Sequence, residues 1–231
     1  MLNNVTKESI AKTVESFTAL TNLDSRLKEM RDFVEKHVYG FGERCFYHMW
    51  KLVLDELPDS SDLMEIGVYK GQIIALWRLL KPESRIFGIS PLSSYAGNDT
   101  PSHPDTDYVK HIKDLHNHLK ISSDNTYIFN GLSTDQAMYE RVKGMSFNVL
   151  YIDGCHERWA VEIDFKWYSP LVKVGGYLVV DDASCNLPIP YGMFPGIKDV
   201  SDVTDEWYSD NKESFEEIMV VMHNRVFKRI K

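Results

Sequence analysis

Residues 147–182 read FNVLYIDGCHERWAVEIDFKWYSPLVKVGGYLVVDD, and this stretch decides the fold. Its beginning, FNVLYID, is predominantly apolar, as expected of a strand buried on both faces of a parallel sheet. Residues 157–176 predict a helix that runs into a glycine turn, and YLVVDD (177–182) predicts the next strand. The order strand, helix, strand is typical of a right-handed parallel βαβ unit.

The same alternation extends in both directions from this stretch. Upstream, DLMEIG, RIFGIS and TYIFNG predict strands, separated by helices at 72–80 and 108–119. TDQAMYERV predicts a further helix with Thr134 as its N-cap. Downstream of a helix around 197–207, IMVVM and RVFKRI flank His223 and Asn224 and predict an antiparallel hairpin. The chain is therefore predicted to be an α/β protein with a Rossmann-like, doubly wound, mostly parallel sheet of seven strands and a C-terminal antiparallel hairpin.

The first 57 residues have a different pattern and predict helices only. Phe46, Trp50, Val53 and Leu57 lie at i, i+4, i+7 and i+11, which is one face of a helix. Such a face must be buried somewhere. We expect residues 1–57 to form an N-terminal helical cap on a domain of residues 58–231, and to offer a contact for a homo-oligomer.

Composition narrows the classes of partner. The chain has 231 residues, a net charge of −8 and a pI near 5.5, so nucleic acid is not an expected partner. The basic C-terminal residues are expected to form the solvent-facing side of an edge strand; they are Arg225, Lys228, Arg229 and Lys231. The charged, amphipathic first 20 residues and the lack of a long apolar run predict a cytoplasmic protein without a membrane segment.

Ligands of doubly wound sheets bind at the carboxyl ends of the strands, which directs attention to the turn after the first strand. That turn reads EIGVYKG, with Glu65 able to hold a cationic group and Gly67 able to admit a ligand against the backbone. Gly71 opens the following helix, whose amides favour a negative group. Tyr69 stands where a dinucleotide fold has its middle glycine, which argues against a dehydrogenase.

Three aspartates follow the fourth and fifth strands and predict a metal site. Asp153, Asp181 and Asp182 would repel one another unless a cation lies between them, and oxygen ligands favour Mg²⁺, then Mn²⁺ or Ca²⁺. Two alternatives remain open. The Asp181–Asp182 pair could simply cap its turn, or zinc could bind one aspartate together with Cys155, His156 and Cys185. His156 itself could be a base or a local hydrogen-bond partner of Asp153.

EIGVYKG and the IDGCH…PLVKVGG…DD series together resemble the class I S-adenosylmethionine (SAM)-dependent methyltransferases. The similarity covers about residues 62–182 and is greatest to the branch of macrocin-type sugar O-methyltransferases and cephalosporin-hydroxylase-like proteins. It implies that residues at the ends of the first four strands bind SAM: Glu65, Gly67, Val68, Tyr69, Gly71, Ser90, Gly131, Leu132, Ser133 and Asp153. Ser90 and Leu132 replace the acids often found beside the ribose and the adenine. The resemblance also implies Asp153, Asp181 and Asp182 as Mg²⁺ ligands, and His156 as general base, with Asp153 beside it in the catalytic centre.

The expected activity is SAM-dependent, metal-assisted O-methylation of a hydroxyl on a small metabolite or a sugar. The alternatives are a methyltransferase acting on nitrogen or a phosphoryl-type oxygen, and a SAM-binding accessory protein that does not catalyse. Loop 91–107, with Tyr95, His103 and Asp107, is the candidate lid, and loop 188–195 is a candidate second wall.

Overall fold

The computed structural model describes residues 5–37, 40–92 and 107–231. One seven-stranded sheet organises them, in the order β3-β2-β1-β4-β5-β7-β6. The first five strands are parallel, and β7 is antiparallel to both β5 and β6. The strands are β1 (Asp62–Ile66), β2 (Arg85–Ser90), β3 (Thr126–Asn130), β4 (Phe147–Ile152), β5 (Val172–Val180), β6 (Phe215–Val221) and β7 (Asn224–Arg229). The predicted fold class is confirmed.

Helices cover both faces of this sheet. In the described residues they are α1 (Lys7–Leu23), α2 (Ser25–His37), α3 (Arg44–Asp55), α4 (Gln72–Leu80), α5 (Tyr108–Leu119), α6 (Gln136–Val142), α7 (Arg158–Tyr168) and α8 (Lys198–Asn211). None of them is both long enough and apolar enough to cross a bilayer.

The N-terminal helices share a core with the sheet. Helix α3 buries Phe46, Trp50 and Val53, the face that the sequence pattern indicated. Trp50 packs edge-on against Trp77 of α4 and Tyr151 of β4, with ring centroids 5.1 Å apart in each case. Helix α3 therefore lies directly over the centre of the sheet.

Three local predictions were wrong. The helix predicted over 157–176 ends at Tyr168, and after a short 3-10 turn, Ser169–Leu171, the chain enters β5 at Val172. Pro170 has no amide hydrogen with which to continue the helical hydrogen bonds, and the two glycines lie within the irregular start of β5. The N-cap of α6 is Asp135 and not Thr134.

The third error concerns the basic C-terminus. β7 lies between β5 and β6, so it is not an edge strand. Arg225 is buried, and its guanidinium binds Glu217 at 2.6 Å and Asp205 at 2.5 Å. The sequence pattern shows a hairpin but not which of its two strands pairs with β5.

Candidate active site

The turns after β1, β4 and β5 are joined by their backbones at the carboxyl edge of the sheet. The Asp153 amide donates to the Ile66 carbonyl at 2.9 Å, and the Asp181 amide donates to the Ile152 carbonyl at 3.0 Å. Because each turn continues the hydrogen-bond ladder of its neighbour, the residues that follow the three strands are held side by side. This is the crevice in which doubly wound sheets bind ligands.

Two glycines are required by this packing. Gly67 has φ +95°, and a Cβ there would lie 1.7 Å from the Asp153 carbonyl oxygen. Gly71 has φ +80° and precedes the first residue of α4, where a Cβ would lie 2.5 Å from the side chain of Ile112. Both positions need the left-handed region that glycine adopts without strain.

Four carboxyl groups converge below this edge. Glu65 is buried, and its Oε2 has no hydrogen-bond partner among the described residues. Burial and the nearby Asp181 charge raise the pKa of Glu65 well above its ordinary value. The pKa of Asp153 is also raised well above its ordinary value, first by burial and then by Asp181, Asp182 and Glu65. A bound cation would relieve this repulsion.

Asp182 has a strained backbone that fixes where its carboxylate lies. Its φ is +54°, a conformation that aspartate tolerates better than most residues. The Ile197 amide donates to the Asp182 carbonyl at 2.8 Å and holds this geometry. Burial and Asp181 raise the pKa of Asp182 to about 6, although the neighbouring His223 and His156 lower it in part.

Two histidines border the carboxylates. His156 Nε2 lies 3.4 Å from Asp182 Oδ2, so its ring faces the cluster from the β4 side. His223 Nε2 lies 3.4 Å from Asp181 Oδ1 and 3.9 Å from Asp182 Oδ1. His223 was not predicted as a site residue, although its place in the β6–β7 turn was predicted. Because β6 runs parallel to β5, that turn lies at the carboxyl edge, but the sequence pattern carries no signal for this position, since it does not show which strand of the hairpin pairs with β5.

Among the described residues, one group of three side chains is close enough for metal binding: Asp181, Asp182 and His223, with ligand atoms within 4.8 Å of one another. The Asp153 carboxyl hydrogen-bonds with Asp181 but lies outside that group, and its role as a ligand stays a prediction. Cys155 and Cys185 do not join such a group either, so the zinc alternative gains no support.

A cavity of about 480 Å³ opens above the cluster. Its wall contains aromatic rings from several elements, including Phe41, Phe46, Trp50, Tyr69 and Phe194. The predicted site residues that line it are Glu65, Gly67, Tyr69, Asp153, His156, Asp181 and Asp182. The side chain of Val68 is buried and faces Gly88, so only its backbone can serve a ligand.

The other predicted cofactor residues lie further along the same edge. Ser90 is buried at the end of β2, and its carbonyl accepts a hydrogen bond from the Gly131 amide at 3.2 Å. Leu132 follows Gly131, and the Ser133 carbonyl accepts from the Tyr168 hydroxyl at 2.7 Å. The structure thus brings the ends of β2 and β3 together, while their contact with a cofactor stays a prediction.

The candidate lid falls largely outside the described residues. Tyr95 and His103 belong to residues 93–106, which the structure does not describe. Asp107 caps helix α5 by accepting a hydrogen bond from the Lys110 amide at 3.0 Å. In loop 188–195, Phe194 lines the cavity, as expected of a second wall.

Asp164 of α7 is a further buried carboxyl group, behind the turn that carries Asp153. It is fully buried, and neither oxygen has a hydrogen bond of normal geometry among the described residues, although the nearby Ser133 hydroxyl offsets part of the cost of burial. Burial raises the pKa of Asp164 to about 7. A Cβ on Gly154 would lie 3.2 Å from Asp164 Oδ2, so this carboxyl packs against the Asp153–Gly154 turn.

We expect the Asp164→Asn variant to gain stability relative to the wild type as the pH rises. The folded-state pKa of Asp164 lies above its unfolded value, so its favourable contribution is complete below about pH 3.9 and is lost as the pH rises towards about 7. The difference in free energy of unfolding should grow by roughly 2–3 kcal/mol between pH 5 and pH 8. Urea denaturation at both pH values measures it, and a constant difference would show that Asp164 ionises freely in the fold.

Strand order, the glycine turn after β1 and the acidic residues after β4 and β5 define a SAM-dependent methyltransferase of the class I fold. The sequence profile of a family described as "Methyltransferase domain" matches residues 64–183, more than half of the chain. The protein therefore belongs to this family of methyltransferases.

Similar structures support the fold. A Staphylococcus aureus protein whose name suggests caffeoyl-CoA O-methyltransferase activity superposes with a TM-score of 0.65 at 14% identity, over 94% of this chain and 98% of that one. The O-methyltransferase NovP gives 0.59 at 18% identity over 80% of each chain. MycE, a methyltransferase of mycinamycin biosynthesis solved with Mg and SAH, gives 0.58 at 15% identity over 87% of this chain and 54% of MycE.

A sequence relative is known from a virus. An uncharacterized protein of Acanthamoeba polyphaga mimivirus is 26% identical over 183 residues, which is 78% of each chain. Its name assigns no activity.

Proposed function

We propose that the protein is a divalent-metal-assisted O-methyltransferase that transfers the methyl group of SAM to a hydroxyl of a small metabolite or a sugar. The observation that carries this proposal is that two kinds of side chain lie together on the floor of one cavity. Buried carboxylates suited to a cation lie directly beside His156, which is suited to remove a proton. Two structurally similar proteins, NovP and MycE, are named as an O-methyltransferase and as a methyltransferase with Mg, which supports the same reading.

The residues at the cavity floor fit SAM and a divalent cation. Glu65 offers a buried, unpartnered carboxylate oxygen in the cavity, as the ammonium group of SAM requires, and Gly67 leaves the adjoining backbone uncovered. Asp181 and Asp182, together with Asp153, form a concentration of negative charge that a divalent cation would neutralise. When bound, SAM supplies an electrophilic methyl group, and the cation lowers the pKa of a nearby hydroxyl.

The chain's own residues then position the acceptor and accept its proton. The His156 imidazole takes the proton from the acceptor hydroxyl, and Asp182, whose Oδ2 lies 3.4 Å from Nε2, stabilises the imidazolium that results. The aromatic wall excludes water and holds the acceptor, so that orientation contributes to the rate. The acidic floor disfavours anionic acceptors, and we therefore expect a neutral substrate with neighbouring hydroxyls.

The test is methylation of an acceptor panel by the purified protein with SAM, followed as SAH release. Neutral sugars and other vicinal diols are compared with amines and phosphorylated sugars, each with Mg²⁺ or Mn²⁺ and again with EDTA. We expect turnover of a neutral diol that falls by about 100-fold or more in EDTA. Preference for an amine or phosphoryl acceptor, or turnover that EDTA does not change, would favour the alternative methyltransferase. Tight SAM binding with no turnover on any acceptor would favour an accessory protein.

The proposal includes the cellular setting. A net charge of −8 and the small cavity favour a small-molecule partner over nucleic acid, and we propose that the enzyme works in the cytoplasm.

A further inference from the structure

We propose that His223 is a direct ligand of the divalent cation, and that it gives the site a preference for Mn²⁺ over Mg²⁺. This inference rests on the cation site of the proposed function and adds a residue and a metal preference to it.

The position of His223 follows from the topology of the sheet. β7 pairs with β5 in antiparallel register, with Val180 opposite Arg225, so the residue before β7 lies beside the end of β5. The Ala183 amide donates to the His223 carbonyl at 2.8 Å and ties the turn to the chain that follows Asp182. His223 and the aspartate pair are therefore fixed on the same backbone framework.

The ring of His223 has little freedom to turn. It is 7% exposed and lies between two aromatic rings, with centroid distances of 4.8 Å to Phe46 and 5.3 Å to Phe194, both edge-on. Its Nδ1 has no hydrogen-bond partner among the described residues, while Nε2 faces the carboxylates. A buried polar ring that is clamped by apolar neighbours and aimed at two carboxylates is pre-organised to bind a ligand.

The distances suit one shared cation. Two ligand atoms that each lie about 2.1 Å from an ion are about 3.0 Å apart at a right angle and about 4.2 Å apart when opposite. His223 Nε2 lies 3.4 Å from Asp181 Oδ1 and 3.9 Å from Asp182 Oδ1, inside that interval. A purely structural ion pair between His223 and Asp181 is the competing role, and the nitrogen coupling measured below distinguishes it from metal binding.

An imidazole nitrogen changes which ions the site prefers. Mg²⁺ favours oxygen ligands and keeps several waters, whereas first-row transition ions accept imidazole nitrogen readily. A set of two carboxylates and one imidazole therefore favours Mn²⁺ over Mg²⁺. This preference should disappear when His223 is replaced.

The experiment is a titration of the full-length, metal-free protein with MnCl₂, with free Mn²⁺ followed by electron paramagnetic resonance and Mg²⁺ measured by competition. We expect the His223→Gln variant to bind Mn²⁺ at least about 10-fold more weakly and to lose most of the Mn²⁺ preference. Pulsed resonance should show nitrogen coupling to Mn²⁺ in the wild type and in His156→Ala, but not in His223→Gln. His118→Ala is the matched control, because His118 stacks on Phe33, 3.7 Å between centroids, and does not line the cavity.

The outcomes separate this inference from the proposed function. If the wild type binds neither ion, the cation site itself is wrong and both proposals fail. If the wild type binds Mn²⁺ without nitrogen coupling, or His223→Gln binds it with unchanged affinity, only the role of His223 is wrong. Circular dichroism establishes that each variant is folded, and His223→Asn provides a second substitution if His223→Gln does not fold.

Discussion

The His156→Ala variant is expected to transfer methyl groups about 10²–10⁴-fold more slowly than the wild type, with SAM affinity unchanged. The imidazole lies at the cavity floor with Nε2 3.4 Å from Asp182, where it can accept a proton. His156 does not belong to the turn after β1, which is the predicted SAM-binding turn. Removing it takes away the proton acceptor but leaves Glu65 and Gly67 in place. Initial rates of SAH release on the acceptor found by the panel, together with calorimetric SAM binding, measure both expectations.

Cys155→Ala is the matched control, because this exposed neighbour lies in the same turn and does not line the cavity. Its rate should remain within about 3-fold of the wild type, since most surface substitutions have small effects. A rate for His156→Ala within 10-fold of the wild type would show that His156 is not the base and that it serves the turn only structurally.

The Gly67→Ala variant is expected to lose at least about 4 kcal/mol of unfolding free energy and to bind SAM poorly. Two costs combine at this position. The φ of +95° is strained for alanine, and the new Cβ would lie 1.7 Å from the Asp153 carbonyl oxygen, so the turns after β1 and β4 must separate. Urea denaturation followed by tryptophan fluorescence measures the loss.

The Gly175→Ala variant measures the cost of the backbone strain without the steric clash that occurs at Gly67. Gly175 has a similar φ of +84°, but a Cβ there meets nothing within 4 Å. We expect a cost of only about 1–2 kcal/mol, the price of the backbone conformation alone. Equal losses in the two variants would contradict the close packing of the turns after β1 and β4.

The sheet could be predicted from sequence because the buried parallel strands are short apolar runs that alternate with helices. Gly67 and the Asp181–Asp182 pair then mark strand ends, and parallel strands bring their ends to one edge. The long helix prediction failed at Pro170 because a local pattern of apolar residues does not distinguish the end of α7 from the irregular start of β5.

His223 and Arg225 show what the sequence pattern could not provide. Both lie in the C-terminal hairpin, and their surroundings depend on β7 inserting between β5 and β6, which is a long-range pairing. Arg225 thus becomes a buried partner of Glu217 and Asp205, and His223 reaches the aspartates. Residue types predicted the turns after β1, β4 and β5 as the candidate site, but the position of the β6–β7 turn depends on tertiary pairing.

The most direct test of the account is calorimetric titration of SAM into the purified protein and into its Glu65→Gln variant. We predict saturable one-site binding to the wild type, and binding about 10–100-fold weaker to Glu65→Gln, which loses a charged hydrogen-bond partner. The same variant should be at least as stable as the wild type, because the carboxyl that it replaces is buried without a partner for Oε2. No binding of SAM to the folded wild-type protein would contradict the assignment of the β1 turn as the cofactor site.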